Sequence, residues 1–454
     1  MCTVARAMVT RPHAPPSCSH APAWRRRPLW LWLLAALLVA STVARLAWLS
    51  EPCRAPCRSA NDHILVFDEA YYVNAARVIA GITPPHGAPY ANAPLGVDPN
   101  SEHPQLAKLL IAGGIKLFGD GPLAWRLPSV LMGTLAILGM FALTRAAGGG
   151  PWLGLGAAAL MAADNLLLVH GRIGTLDISA VTGMIWGAAL YLRGRPILAG
   201  VVIALAACAK EVAPYVLLVL LALESFRWLG ARTDGWQRVG RLATCGGSAA
   251  VAFVLLLFVL GRIAPPYSPQ TGKVVPGGPF GHIAHILSYA AHQTSPHGPQ
   301  GIASYPWDWL IDSKPITYLR INPAHPSGAL SQVAPAVHFI GLISPPILLL
   351  ALPALLYAAR GLVGPRFMRR GRSADEVGLV GLAWFLGTFL PFVALALIES
   401  RTSYLYYMVI VMPGIYLAVA DLIARVGVRR KVVLVWVACV LAAVVVLYPF
   451  TPLP

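Results

Sequence analysis

Long apolar runs broken by short polar ones dominate this chain. Stretches able to cross roughly 30 Å of hydrocarbon lie at 28–49, 122–144, 151–169, 175–192, 198–209, 212–228, 242–260, 333–357, 377–398, 404–424 and 432–448, which predicts about eleven transmembrane helices. The run at 198–209 is short for a full crossing and reads equally as half of a hairpin. Two polar intervals are long, 50–121 and 263–332. In the first, apolar residues recur at helical spacing over 69–80 and 105–117, the mark of amphipathic helices lying at the interface. Between them, 81–104 is rich in Pro, Gly and Asn and reads as irregular chain. Neither interval holds enough apolar residues for a core of its own, and no short repeat is present. The expectation is a disordered cytoplasmic tail over 1–27 and a single transmembrane domain over 28–454.

Composition agrees with that class. Hydrophobic residues make up 57% of the 454 and charged ones 12%, with a mean hydropathy of +0.66, so a soluble domain is excluded. The net charge of +17 could suggest nucleic acid, but the cations form no stripe on a soluble surface. They sit in every second short loop: Arg25–Arg27, Arg145, Arg193 and Arg195, Arg227 to Arg241, Arg360 to Arg372, and Arg425 to Lys431. Those loops are therefore read as cytoplasmic. With an odd number of spans, the N-terminus is cytoplasmic and both long loops face the exterior, as in a bacterial plasma membrane. The first apolar run is too long for a signal peptide and lacks a cleavage site.

Candidate chemistry is sparse, which makes it easier to find. Asp68 and Glu69 stand just past the first span, followed by His103 and Lys108. Carboxylates at a membrane face beside an imidazole and a cation can carry acid-base chemistry on a lipid-borne substrate. Cys53 and Cys57, spaced C-x3-C in the exterior loop, are either a local disulfide or two free thiols. His282, His285, His292 and His297 are spaced three, seven and five apart, which matches no tight metal motif. They are read as solvated or hydrogen-bonded; no cofactor is assigned, and dependence on a divalent cation is left open.

Five segments carry a resemblance: FDEAYY at 67–72, SEHPQLAKLLIAGGIKLFGDGPLAWRLPSVLMGTL at 101–135, DNLLLVHGRIGTLDISA at 164–180, AACAKEVAPY at 206–215 and SYPWDWLIDSKPITYL at 304–319, with an echo in RTSYLYYMVIVMPG at 401–414. In order and spacing this set resembles the protein O-mannosyltransferase family of GT-C glycosyltransferases. Gln105 stands where the family has the second Pro of a His-Pro-Pro motif, and Leu310 follows Trp-Asp-Trp where the family has Pro. The lectin-like domain of eukaryotic members has no counterpart in these segments. The resemblance implies an all-α polytopic GT-C fold. It also implies an inverting enzyme that moves mannose from a polyprenyl-phosphate carrier to Ser or Thr hydroxyls of a polypeptide, such as a chain in translocation, on the exterior face.

Within that reading, Asp68 matches the family's acidic position and would take the hydroxyl proton; the bland alternative is a helix cap. Glu69, about 100° away around the helix, would orient substrate or hold a hydrogen bond. The leaving lipid phosphate needs cations. Arg126 leads, its alternative being snorkelling to headgroups, and His103, Lys108 and Arg401 join it. Arg172 and Asp177 either pair with each other or touch substrate. Lys210, beside Glu211, is either one half of an ion pair or a phosphate ligand. Trp307 and Trp309 either anchor the second loop at headgroup level or line the sugar site. Two other classes fit the same architecture: a lipid-to-lipid sugar transferase like the aminoarabinose transferases, and a transporter, against which the charges cluster at the exterior face rather than the midplane.

Overall fold

A computed structural model describes residues 28–54, 57–230, 235–321, 333–334, 337–363 and 376–451. The tail at 1–27 and the cations at Arg25–Arg27, Arg232 and 366–372 lie outside them. Among the described residues, six helices are long and apolar enough to cross a bilayer: α1 (Leu29–Leu46), α4 (Pro122–Ala146), α10 (Gly235–Ile263), and the helical segments Val377–Ile398, Leu405–Arg425 and Arg430–Leu447. Shorter apolar helices fill the bundle between them, among them α5 (Pro151–Ala163), α7 (Asp177–Leu192) and α8 (Pro196–Ala209), together with α9 (Tyr215–Gly230). The chain is an integral membrane protein. Helix starts follow local chemistry: Pro122, Pro151 and Pro196 occupy first positions, where a backbone N–H would go unused.

Two of the expected spans take a different form. The run at 151–169 is broken at Asp164, whose carboxylate caps the short α6 (Asn165–His170) through Leu166 N and also accepts from Ser344 N at 2.9 Å. The expected span at 333–357 begins as a strand, because Val337–Gly341 pairs antiparallel with Ile316–Ile321 of the second loop. Only from Pro345 does that segment turn helical.

In the long loop between α1 and α4, α2 (Glu69–Ala80) and α3 (Leu106–Phe118) appear within a residue of the expected bounds. They are more buried than interface helices. Tyr72, Val73, Ala76 and Ile79 of α2 and Ala107, Ile111 and Ile115 of α3 form a satellite core with Trp125 of α4. Gly81, at φ +87°, ends α2 in the left-handed conformation that glycine adopts without strain. The second loop is also built onto the bundle. It contains a hairpin of Tyr267–Ser268 with Lys273–Val274, α11 (Gly278–His292) and a 3-10 turn at Pro306–Ile311.

Close helix approach depends on small residues. At Gly200 of α8, a Cβ would collide with Ser248 Oγ and Cys245 O and lie 2.8 Å from Ala249 N, all on α10. Gly200→Ala is therefore expected to lower the thermal unfolding midpoint in detergent, at a cost of ~1–3 kcal/mol from overpacking. An unchanged midpoint would show that α8 and α10 do not pack this closely.

Candidate active site

The exit from α1 leads directly into the site. Phe67 adopts φ +55°, unusual for a bulky residue, and its ring stacks on Tyr318 of the second loop at 4.2 Å. The turn delivers Asp68 as the residue before α2, and Asp68 lines a cavity of about 320 Å³. Also lining it are His103, Glu102 and Asn100 from the first loop, Lys210 and Glu211 from the turn between α8 and α9, Tyr289 of α11, and Arg401, Tyr404, Tyr406 and Tyr407. Such a volume lies at the small end of the range for small-molecule sites.

The charges in this cavity are arranged rather than scattered. Lys210 donates to Asp177 at 2.6 Å and stands 5.3 and 5.6 Å above the rings of Tyr406 and Tyr407. Burial opposes the charge of Lys210, yet the carboxylates of Asp177 and Glu211 raise its pKa overall. His103 meets Glu211 at 2.8 Å. Burial alone would push the Glu211 carboxyl up, but His103 and Lys210 hold it down to about 2. Asp68 behaves oppositely: burial, against the pull of Lys210 and His103, pushes it up to about 6. A carboxylate tuned to that range is matched to proton transfer near neutral pH.

Glu69 has a different environment from its neighbour. It is fully buried and accepts from Arg126 through Nε and Nη2, both at 2.9 Å, and from Val66 N and Gly174 N, both at 2.7 Å. Arg126 spends its remaining donors on the carbonyls of Leu49 at 2.6 Å, Glu51 at 2.8 Å and Ile64 at 3.2 Å. The expectations that Arg126 grips a phosphate or snorkels to headgroups are thus not met by its position. Its five donors are committed to protein, and neither it nor Glu69 lines the cavity.

Other expected site residues also divide by location. Lys108 is fully buried on Asp98 at 2.6 Å and donates to His103 O at 2.9 Å, so it shapes the 98–103 segment from beneath. Arg172 and Asp177 do not pair. Arg172 donates to Ala47 O at 2.8 Å and lies 4.6 Å from the Phe450 ring, while Asp177 serves Lys210. Trp309 is fully buried against Phe389, Phe392 and Tyr407, its indole donating to Ser304, and Trp307 stacks on Tyr305 outside the cavity. Of the residues expected at the site, Asp68, His103, Lys210 and Arg401 share the cavity. Glu102 and the tyrosines were not singled out beforehand, and Glu211 was named only beside Lys210. The run Tyr404-Leu405-Tyr406-Tyr407 at the head of an apolar span was the available signal, since phenols there need partners on one side and hydrocarbon on the other.

Two histidines of the second loop have structural work. His282 meets Ser101 O at 2.8 Å and His285 meets Ser101 Oγ at 3.1 Å, tying α11 to the first loop. Cys53 and Cys57 are joined in a disulfide. His63 approaches that pair, but bridged sulfurs offer no thiolate ligand.

Residues 102–260 match the family described as dolichyl-phosphate-mannose-protein mannosyltransferase. A polyprenol-phosphate-mannose–protein mannosyltransferase of Corynebacterium glutamicum is 34% identical over 174 residues, 38% of this chain and 30% of that protein. One of the same description from Mycolicibacterium smegmatis is 25% identical over 377 residues, 70% of each chain. In structure, the S. cerevisiae protein O-mannosyltransferase Pmt1-Pmt2 complex bound to the sugar donor aligns with a TM-score of 0.66 at 12% identity, covering 94% of this chain and 90% of that one. The fold is that of the GT-C glycosyltransferases, and the sequence is similar to the protein mannosyltransferases.

Two predictions separate the adjacent acids. Arg126→Leu strands the buried Glu69 charge and should cost ~3–5 kcal/mol, read as a large drop in thermal midpoint in detergent. Asp68→Asn should do the reverse. The folded-state pKa of Asp68 is raised, so its contribution to stability is present below the unfolded value of about 4 and is lost as pH rises through about 6. At pH 7.5 the ionised group is a burden on the order of 2–3 kcal/mol, and the variant should be as stable as the parent or more so. A sharp loss of stability in Asp68→Asn would contradict this.

Proposed function

We propose that this relative of the protein mannosyltransferases is an inverting glycosyltransferase that moves mannose from a polyprenyl-phosphate carrier to Ser or Thr hydroxyls of polypeptides. The observation that carries the reading is a single cavity holding a carboxylate tuned to about 6, Asp68, together with two cations, Lys210 and Arg401. The matched sequence over 102–260 supports the donor class. The basic loops support an exterior site and a cytoplasmic N-terminus in a bacterial plasma membrane. A chain emerging in translocation would reach such a site directly.

The chemistry follows from charge. The acceptor oxygen attacks the anomeric carbon as its proton passes to Asp68, and the bond from that carbon to the phosphate oxygen breaks on the opposite side, inverting the centre. The leaving phosphate goes from one negative charge to two, and Lys210 and Arg401 are the groups offered to the added charge. Lys210 is aimed by Asp177. Arg401 is steadied by donating through Nη1 to the Ala290 carbonyl. Glu69 and Arg126 act indirectly by fixing the turn that carries Asp68.

Membranes supplied with labelled polyprenyl-phosphate-mannose should transfer label to protein, and Asp68→Asn should lower that transfer by about 10²–10⁴. Lys210→Met and Arg401→Met should each lower kcat by about 10²–10³. Rate should rise with pH to a plateau above an acid limb near 6, a limb that Asp68→Asn abolishes. Label found in lipid extracts alone would instead favour the lipid-acceptor class.

A further inference from the structure

One carboxylate of the cavity has no part in that reaction. Glu102 lies between Ser101 and His103, in a segment pinned by Lys108 from below and by His282 and His285 from α11. Its backbone is therefore held firmly while its side chain lines the cavity, partly exposed. Among the described residues, no hydrogen bond or ion pair engages that carboxylate. Two of the neighbouring charges are matched, His103 with Glu211 and Lys210 with Asp177, while Asp68 and Arg401 are the groups the proposed reaction uses.

The groups around Glu102 are phenols. Together with burial, the larger cause, its charge pushes Tyr289 up to about 12 and raises Tyr90 as well. Tyr71, half exposed, packs edge-on against Tyr90 at 6.4 Å. The charges that act most on Asp68 are instead Lys210, Asp177 and His103. Two neighbourhoods therefore meet in one cavity. The cations suit the anionic donor, whereas an unpaired carboxylate would repel it. A carboxylate that shares the cavity wall with Tyr71 and Tyr289 suits an organic cation, which it can hold by charge-assisted hydrogen bonds.

We propose that Glu102 selects the acceptor, favouring polypeptide segments that carry Lys or Arg close to the hydroxyl to be glycosylated. This rests on the protein-acceptor reading above. It assigns Glu102 a role in specificity, outside the bond-making step, and it gives the Glu102 carboxylate a partner only when such a segment is bound.

The test uses the full-length protein in nanodiscs, polyprenyl-phosphate-mannose, and three synthetic peptides differing at one position two residues from a single Thr: Lys, Ala or Glu. The parent should show a KM for the Lys peptide about five- to ten-fold below that for Ala, with Glu poorest, and added salt should narrow the gap. Glu102→Gln should bring the three peptides together, and Glu102→Lys should reverse their order. Each comparison is a ratio within one preparation, so a loss of folded protein does not mimic it. Transfer to the Ala peptide without any Lys preference, or a preference that survives Glu102→Lys, overturns the inference and leaves the mannosyltransferase reading standing. Label confined to lipid, with no peptide modified, overturns both.

Discussion

The site depends on one buried ion pair. Glu69 and Arg126 meet in a two-pronged contact with both side chains almost fully out of solvent, and every remaining donor of the guanidinium goes to a carbonyl of the segment leaving α1. A buried pair adds little net stability over a hydrophobic one, but it is demanding in geometry. Here it fixes four separate pieces of chain to each other: the end of α1, the loop at 64–66, the start of α2 and the turn at Gly174. The position of Asp68 follows from that junction, since it is the next residue along.

Two adjacent acids thereby acquire opposite properties. Residues next to each other on a helix point about 100° apart, so one faces the junction and the other the cavity. Glu69 is satisfied by four donors. Asp68 is half-buried with few, and its carboxyl rises to about 6. The same economy recurs at Lys108, which supports the 98–103 segment from below while His103 and Glu102 of that segment face the cavity. Buried charge builds the walls, and the residues next to it in sequence supply the chemistry.

The second loop completes the enclosure. Tyr318 backs Phe67, Trp309 is wedged against Tyr407, and α11 is tied to Ser101 by two imidazoles. These contacts link residues 98 or more positions apart, so the cavity exists only when both long loops are docked on the bundle. That arrangement accounts for the burial of α2, which the apolar spacing of its sequence had placed at the membrane surface.

Hydropathy and helical spacing were enough to determine a polytopic membrane protein and the bounds of α2 and α3, and residue type and motif were enough to pick out Asp68, His103, Lys210 and Arg401 as candidates. These are properties of local composition, carried by the chain whatever it packs against. The direction of each side chain was not so determined. Arg126, Arg172, Lys108 and Trp309 looked equal to the true cavity residues in type and position, and the break at Asp164 and the strand at Val337–Gly341 were hidden within apolar runs. A cation near a span end points to whichever carboxylate or carbonyl the fold brings within about 3 Å, and those partners lie 5 to 10 residues from Lys108 but 57 or more from Arg126 and Arg172. Only the tertiary structure decides that choice, because hydrogen bonding in a buried site is settled by distance in space.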